Sequence, residues 1–387
     1  MLEKTTIYLD NAATTRCAPE VLAAMMTYFT DNYGNPSSTH IFGRRARSAV
    51  IKAEQDILEA LDASNYRVIF TSGATEANNL AIRTAVEYAS SQTRTIVLSS
   101  RIEHKSVLEP LRIVAPVSGA TIKWLPISSQ GLVELDSLEN ELASNRIGAV
   151  IIQLANSETG IVQDLYRICQ IAHQHGAIVV SDATQAIGKI PLNLSQLDID
   201  MITLSSHKIY GPKGAGAFVY KDGNKIQPIL YGGSQQRGTR AGTENIPGIV
   251  GISTALKLAI AQLAIDSTNI ISMRKLLWDS LDDLGDIRWN GANSPILPGH
   301  LNVTIRGVHA QDLMLRTPEL AFSQGSACDA QTSLPSETLL SMGLSPNEID
   351  STIRISIGRF NTQEEIFISI NRLRDAILNI RAETTGC

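Results

Sequence analysis

A lysine that closes an apolar strand and is followed by glycines is placed to bind an aldehyde. The phrase Ser205-Ser206-His207-Lys208 follows the apolar run Met201 to Ser205 and precedes Gly211, Gly214 and Gly216. A lysine at the carboxyl end of a buried strand can form a Schiff base with an aldehyde cofactor, although in a Gly-rich loop it also reads as a solvated lysine. A second apolar run, Ala177 to Ser181, ends in Asp182. A carboxylate there can keep the pyridine nitrogen of pyridoxal phosphate protonated, so that the ring accepts electrons; taken alone it can equally cap the following turn. Ser72-Gly73-Ala74-Thr75-Glu76 leads from a strand through glycine into a helix. The amides and the Thr75 hydroxyl can cradle a phosphate there, or Thr75 can serve as a simple cap.

His104, just past the strand ending at Ser99, can lie on a cofactor ring or on the surface. Arg354, between Ile353 and Ile355, carries a fork that can meet a carboxylate with two parallel hydrogen bonds; the alternative is a solvated edge arginine. Cys328 lies in the polar stretch Phe322 to Glu337, and its small neighbours Gly325, Ser326 and Ala327 leave the thiol accessible as a nucleophile; a lone cysteine in a polar loop also reads as an incidental thiol. There is no GxGxxG and no Walker sequence, so a dinucleotide or a nucleoside triphosphate has no support.

These residues need a scaffold that brings strand ends together. Short apolar runs alternate with helix-length amphipathic runs, the pattern of parallel strands joined by crossover helices. Strands are expected at Val68 to Ser72, Thr95 to Ser99, Thr121 to Leu125, Ala149 to Leu154, Ala177 to Ser181, Met201 to Ser205 and Ala215 to Tyr220. Helices are expected at Thr75 to Tyr88, Ser106 to Val114, Leu135 to Ala143 and Leu165 to Gly176. Several strands lack polar alternation, as strands covered on both faces do. Beyond an apolar helix near residues 248–264 the rhythm changes to a helix at Met273 to Leu281, strands at His300 to Ile305 and Ser351 to Ile357, and a terminal helix at Thr362 to Ile380. The expectation is an α/β fold: a large domain, 15–255, with a mostly parallel seven-stranded sheet, and a smaller α+β domain formed by 1–14 and 256–387.

The 387 residues, 43% hydrophobic and 18% charged, suffice for such a core without staples. A net charge of -5 offers no general attraction to nucleic acid or an anionic membrane, and Arg44, Arg45 and Arg47 read as a solvated helix face. The stretch Ile246 to Ile265 is broken by Pro247, Lys257 and Gln262, which favours a buried helix over a membrane span. The amino terminus lacks an apolar core behind a basic start, and the expected location is cytoplasmic. Cys17, Cys169, Cys328 and Cys387 show no CxxC pair and no metal-ligand spacing, so neither disulfide nor metal is expected.

Tyr8-Leu-Asp-Asn-Ala-Ala-Thr-Thr15, Gly34-Asn-Pro-Ser-Ser38 with His40, Gly73-Ala-Thr-Glu76, Glu103-His104, Asp182-Ala-Thr-Gln185, Ser205-Ser-His-Lys208, Arg240-Ala-Gly-Thr-Glu-Asn245, Gly325-Ser-Ala-Cys328 and Arg354-Ile-Ser-Ile-Gly-Arg-Phe360 occur in this order. Together they resemble the cysteine desulfurases of the NifS/IscS type, within the class-V aminotransferases. The resemblance spans nearly the whole chain. It implies the fold-type I architecture of pyridoxal 5'-phosphate enzymes and a homodimer with its active sites at the subunit interface. By the motifs, Lys208 would be the Schiff-base lysine, Asp182 the pyridine partner and His104 a stacking group that also moves protons. Gln185 would touch the ring hydroxyl. Ala74, Thr75, Ser205 and His207 would hold the phosphate with Thr243 of the partner subunit, and Asn35, Asn156 and Arg354 the substrate carboxylate.

Cys328 would take sulfur from L-cysteine as a persulfide, releasing L-alanine, and pass it to an acceptor protein. The acceptor is left open among an iron-sulfur scaffold, a tRNA-thiolation protein and a DNA-sulfur-modification protein, with no direct nucleic-acid binding by this chain. Gln324 stands where Ser or Thr commonly precedes Gly-Ser-Ala-Cys, Asn156-Ser157-Glu158-Thr159-Gly160 replaces Asn-Asn-Glu-Xaa-Gly, and the carboxyl end is shorter than in housekeeping IscS-type members. A selenocysteine lyase or another enzyme of this fold is the nearest alternative, and a non-catalytic cofactor-binding scaffold the alternative of a different class.

Overall fold

The computed structural model describes residues 6–143, 146–325 and 335–385. The chain opens with a short strand β1 (Ile7–Tyr8) and two helices, α1 (Pro19–Thr30) and α2 (Ile41–Ala60). Proline at the first turn of α1 fits the fixed φ that starts a helix. In α2 the buried stripe is Gly43, Ala46, Ala49, Ala53 and Ile57, small residues at helical spacing. Arg44, Arg45 and Arg47 project from its opposite, exposed face. The reading of these arginines as a solvated helix face holds, while the bounds of the helix were not legible because a stripe of Gly and Ala has little hydropathy contrast.

The alternating part follows as β2 (Tyr66–Thr71), α3 (Ala74–Ser91), β3 (Ile96–Ser100), α4 (Lys105–Val117), β4 (Thr121–Leu125), α5 (Leu135–Leu142), β5 (Ile147–Ile151), α6 (Leu165–Gln174), β6 (Ile178–Asp182), α7 (Leu194–Leu197), β7 (Met201–Ser205) and β8 (Gly216–Lys221). These strands form one seven-stranded sheet of order β2-β8-β7-β6-β5-β3-β4. All pairings are parallel except those of β8, which runs antiparallel to both β2 and β7. Strands β5 and β7 are buried at every position, consistent with helices on both faces. The chain leaves β3 for β4 and returns on the other side of β3 as β5. Such a reversal opens a crevice at the carboxyl ends of the strands, and that edge carries the functional residues.

Helix α8 (Ile246–Asp282) replaces the two helices expected around residues 248–264 and 273–281. The polar run Asp266 to Asn269 interrupts the apolar pattern but contains neither Gly nor Pro, so the backbone has no reason to stop. Its first half buries Ile249, Ile252, Leu256 and Ala259 in the core that covers the large sheet. Its second half buries Ile270, Met273, Leu277 and Leu281 in a separate core. Among the described helices it alone is long and apolar enough to cross a membrane by length and composition, and these buried positions account for that character.

The second core is built on β9 (Ile287–Trp289), β10 (His300–Ile305), α9 (Ala310–Arg316), β11 (Leu320–Ala321), β12 (Ser323–Gln324), α10 (Glu337–Ser341), α11 (Pro346–Asp350), β13 (Thr352–Ser356) and α12 (Gln363–Thr385). A four-stranded antiparallel sheet runs β12-β13-β10-β9, while β1 pairs with β11 in parallel. Ile7 and Leu9 therefore join this second core. The segment after them crosses back to the large sheet, and its position decides the shape of the site.

Candidate active site

Lys208 closes a single 3-10 turn, Ser206–Lys208, directly after β7. Its ammonium donates to the Ala12 carbonyl at 2.6 Å and the Ala13 carbonyl at 2.7 Å. The segment Ala12 to Thr15 thus lies across the lysine. It is held there by Thr15, whose amide and hydroxyl both donate to the His207 carbonyl and whose hydroxyl oxygen accepts from the Tyr210 amide. On the neighbouring parallel strand, Asp182 ends β6. Its Oδ2 accepts from Asn78 Nδ2 at 2.8 Å and its Oδ1 from the Thr184 amide at 2.9 Å. Asn78, buried on α3, also donates to Ser106 and accepts from Thr203, so one side chain ties α3, α4, β6 and β7 together. Sequence reasoning missed Asn78, since an asparagine inside a helix carries no signal until its neighbours across the sheet are known.

His104 caps α4. Its Nδ1 accepts from the Ser106 amide at 3.1 Å and lies 2.7 Å from the Ser106 hydroxyl. A nitrogen that accepts from a backbone N–H carries no proton, so the neutral ring is protonated at Nε2. The preceding Glu103 is buried; it accepts from Ser100 Oγ at 2.7 Å and from the Gln153 amide at 2.8 Å. Burial, and then the charge of Asp182, push its carboxyl up to about 8. A raised folded value means that the proton on Glu103 contributes stability that is complete below pH 4.5 and is lost as pH rises through about 8. Glu103→Gln mimics the protonated form at every pH. The variant is expected to melt increasingly above the wild type, by several degrees, between pH 5 and pH 8; parallel melting curves across that range would refute the assignment.

The first turn of α3 follows Gly73, which supplies no side-chain cap. Its amides are therefore available to an anion. Gly216 on β8 runs close behind: a β-carbon there would sit 2.6 Å from the Gly73 backbone, so only glycine lets the two segments meet. Glu76 accepts from the Ser72 amide and pairs with Arg240, Oε1 to Nε at 2.8 Å and Oε2 to Nη2 at 3.2 Å. That fork fastens the Arg240 to Asn245 segment to this turn. His207, 3.1 Å from the Thr14 hydroxyl, is pushed down to about 4 by burial and by Lys208, Lys213 and Lys189, so it is neutral at physiological pH.

Ala74, Thr75, His104, Asp182, Gln185, Ser205, His207, Lys208 and Arg354 all line one cavity of about 540 Å³. Arg354, 2% exposed on β13, forms an ion pair with Asp10 at 2.7 Å and donates to Ser157 O and Ser323 Oγ; its buried Nε has no partner among the described residues. Asn156 is buried but absent from the cavity wall. Its amide donates to Ile102 O and Thr338 Oγ1, and its oxygen accepts from the amides of Glu158 and Thr159. Asn35 is exposed and caps its own turn through Ser37 N, and Thr243 lines a separate neighbouring depression. Neither reaches the cavity within one chain. Cys328 lies outside the described residues.

The model of the aminotransferase class-V family matches residues 7–368. The cysteine desulfurase IscS of Edwardsiella ictaluri is 37% identical over 383 residues, 98% of this chain and 94% of the relative. The chain belongs to the class-V aminotransferase family, among the IscS- and NifS-like cysteine desulfurases. Two solved structures agree: a NifS-like protein with TM-score 0.88 and 31% identity, covering 96% of this chain and 98% of that one, and SspA in complex with cysteine, with TM-score 0.80 and 31% identity, covering 92% and 100%.

Class-V enzymes of this desulfurase group use pyridoxal 5'-phosphate. The donor set fits that group. An amine and a carboxylate rise from adjacent strands, an imidazole lies in the same wall, and a helix start without a side-chain cap offers amides to a phosphate. The volume is in the usual range for a cofactor pocket.

Proposed function

We propose that this desulfurase converts L-cysteine to L-alanine, with Lys208 binding the cofactor aldehyde and Cys328 accepting the sulfur. The observation that carries the reading is the convergence of Lys208, Asp182, His104 and Arg354 on one cavity. When bound, pyridoxal 5'-phosphate supplies an electron sink for the bonds around the amino-acid α-carbon. Asp182 keeps the ring nitrogen protonated, with Asn78 and the Thr184 amide fixing its carboxylate. Ala74, Thr75, Ser205 and His207 hold the phosphate. Lys208 moves protons at the substrate, and His104 holds one at Nε2. The Cys328 thiolate attacks the substrate sulfur: a sulfur–sulfur bond forms, the carbon–sulfur bond breaks, and a proton on that carbon completes alanine. Incubation with sulfur-labelled cysteine should yield alanine and protein-bound label in equal amounts; no alanine from the loaded protein would refute the reading.

Arg354 binds the substrate carboxylate in this scheme, its Nε, without a partner among the described residues, and its fork being the supporting features. Since Arg354→Ala would strand Asp10, the better test is Arg354→Lys, which keeps a charge beside Asp10 and loses the bidentate geometry. KM for cysteine is expected to rise about tenfold or more with the cofactor spectrum unchanged. Equal KM values would exclude the clamp.

The exposed face Leu22, Met26 and Phe29 of α1, with Tyr33, Ile41 and Phe42 beside it, supports a homodimer, and Asn35 and Thr243 are the residues a second copy would bring to the site. The two cores support a division into a large domain, 15–255, and a small one, 1–14 with 256–387. A reducing, cytoplasmic location suits an enzyme that works through a free thiol. The sulfur passes to an acceptor protein. An iron-sulfur scaffold, a tRNA-thiolation protein and a DNA-sulfur-modification protein are to be distinguished by which co-purifying protein takes the label from Cys328.

A further inference from the structure

Lys189 lies four residues beyond Gln185, in the run of turns after β6, and outside the cavity wall. Its Nζ donates to Gln185 Oε1 at 3.1 Å, and Gln185 Nε2 donates to Ala12 O at 2.9 Å, the same carbonyl that accepts from Lys208. An ammonium has only donors and a carbonyl only accepts, so both ends of the carboxamide are assigned without ambiguity. The oxygen turns to Lys189, and Nε2, which has a second hydrogen, is the polar atom that Gln185 offers to the cavity it lines.

The charges that act on Lys189 are positive: Lys208 from the turn after β7 and Arg354 from β13, with the neutral rings of His207 and His300 beside it. Of the acids around the site, Asp10 pairs with Arg354, Asp182 is held by Asn78 and Thr184, and Asp266 of α8, which lines the same small depression as Lys189, is taken by Arg359. Among the described residues no ion pair holds Lys189. Burial, then Lys208 and Arg354, push its ammonium down to about 7, while burial leaves His300 neutral. A cation so placed is stabilised by an anion arriving on the far side of Gln185.

We propose that Lys189 is a positioning residue: it fixes the Gln185 carboxamide with its N–H edge toward the cofactor and supplies the positive charge that keeps the ring hydroxyl ionised. This rests on the reading of Gln185 as the partner of that hydroxyl. An ionised ring oxygen, backed by a cation, sets the pH at which the lysine-linked cofactor changes its visible absorption, because a nearby positive charge disfavours protonation of the linkage.

The test is a pH titration of the visible absorption of the loaded protein, for wild type, Lys189→Met, Lys189→Arg and Gln185→Leu, with melting temperatures and the site of borohydride reduction measured alongside. Methionine replaces a buried ammonium by an apolar chain of similar length, and Lys189→Gln provides a second neutral variant. The midpoint is expected to rise by about one pH unit, a roughly tenfold change in proton affinity, in both neutral variants and in Gln185→Leu, and to stay near the wild-type value in Lys189→Arg. An unchanged midpoint in Lys189→Met and Lys189→Gln, with Gln185→Leu shifted, overturns the role of Lys189 while the Gln185 reading stands. Unchanged midpoints in all three overturn both.

Discussion

Cys328→Ala is expected to bind cysteine and change the cofactor spectrum as the wild type does, yet to release alanine slower by orders of magnitude and to form no persulfide at position 328. In the proposed mechanism cysteine would be held through its amine and its carboxylate, served by Lys208, the cofactor and Arg354, so binding would not need the thiol. Sulfur removal does, because the substrate sulfur must be taken by a nucleophile. The described thiols are poor substitutes. Cys169 is buried, and its thiol is pushed up to about 12 by burial and Asp200. Burial also raises the Cys17 thiol, with Lys213 opposing it. A thiol that is not ionised at neutral pH is a weak nucleophile. Alanine release and persulfide, measured under identical cysteine and reductant, decide the matter. Alanine at the wild-type rate in Cys328→Ala would end the mechanism proposed here.

Lys208→Ala is the second variant expected to lose nearly all turnover. Borohydride reduction of the wild type should leave a pyridoxyl group on the Lys208 peptide, and the same treatment of Lys208→Ala should leave none. The competing site is real, since Lys213 lines the same cavity and Lys189 lies behind it. What favours Lys208 is its position: the turn after β7 sets it beside the end of β6, where Asp182 stands, and Ala12 and Ala13 hold its amine in place. Removing a group that both binds the cofactor and moves protons typically costs at least about 10²–10⁴-fold in rate. A pyridoxyl adduct on Lys213 or Lys189 in the wild type would move the assignment, and substantial turnover by Lys208→Ala would dismiss it.

The strands and the residues at their ends were legible in the sequence for a local reason. A strand buried on both faces writes itself as an apolar run, and the polar residue that terminates it marks where the chain reaches the sheet edge. Met201 to Ser205 before Lys208, and Ile178 onward before Asp182, are such cases. Glycine in Ser72 to Glu76 marked the strand-to-helix passage in the same way. The order of the motifs along the chain then identified the family without any coordinates.

What tertiary structure alone decided was which distant groups meet. The sequence places Ala12 far from Lys208, Asp10 far from Arg354, Glu76 far from Arg240 and Asn78 far from Asp182, yet each pair is hydrogen-bonded. It also decided that Asn156 spends its amide on Ile102 and Thr338 and its oxygen on its own turn, and that Asn35 and Thr243 stay out of the cavity of their own chain. A hydrogen bond depends on one donor and one acceptor coming within about 3 Å. Local pattern reports only the direction and burial of one segment; the distance between two segments is set by how the sheet, the helices and the amino-terminal strap pack together.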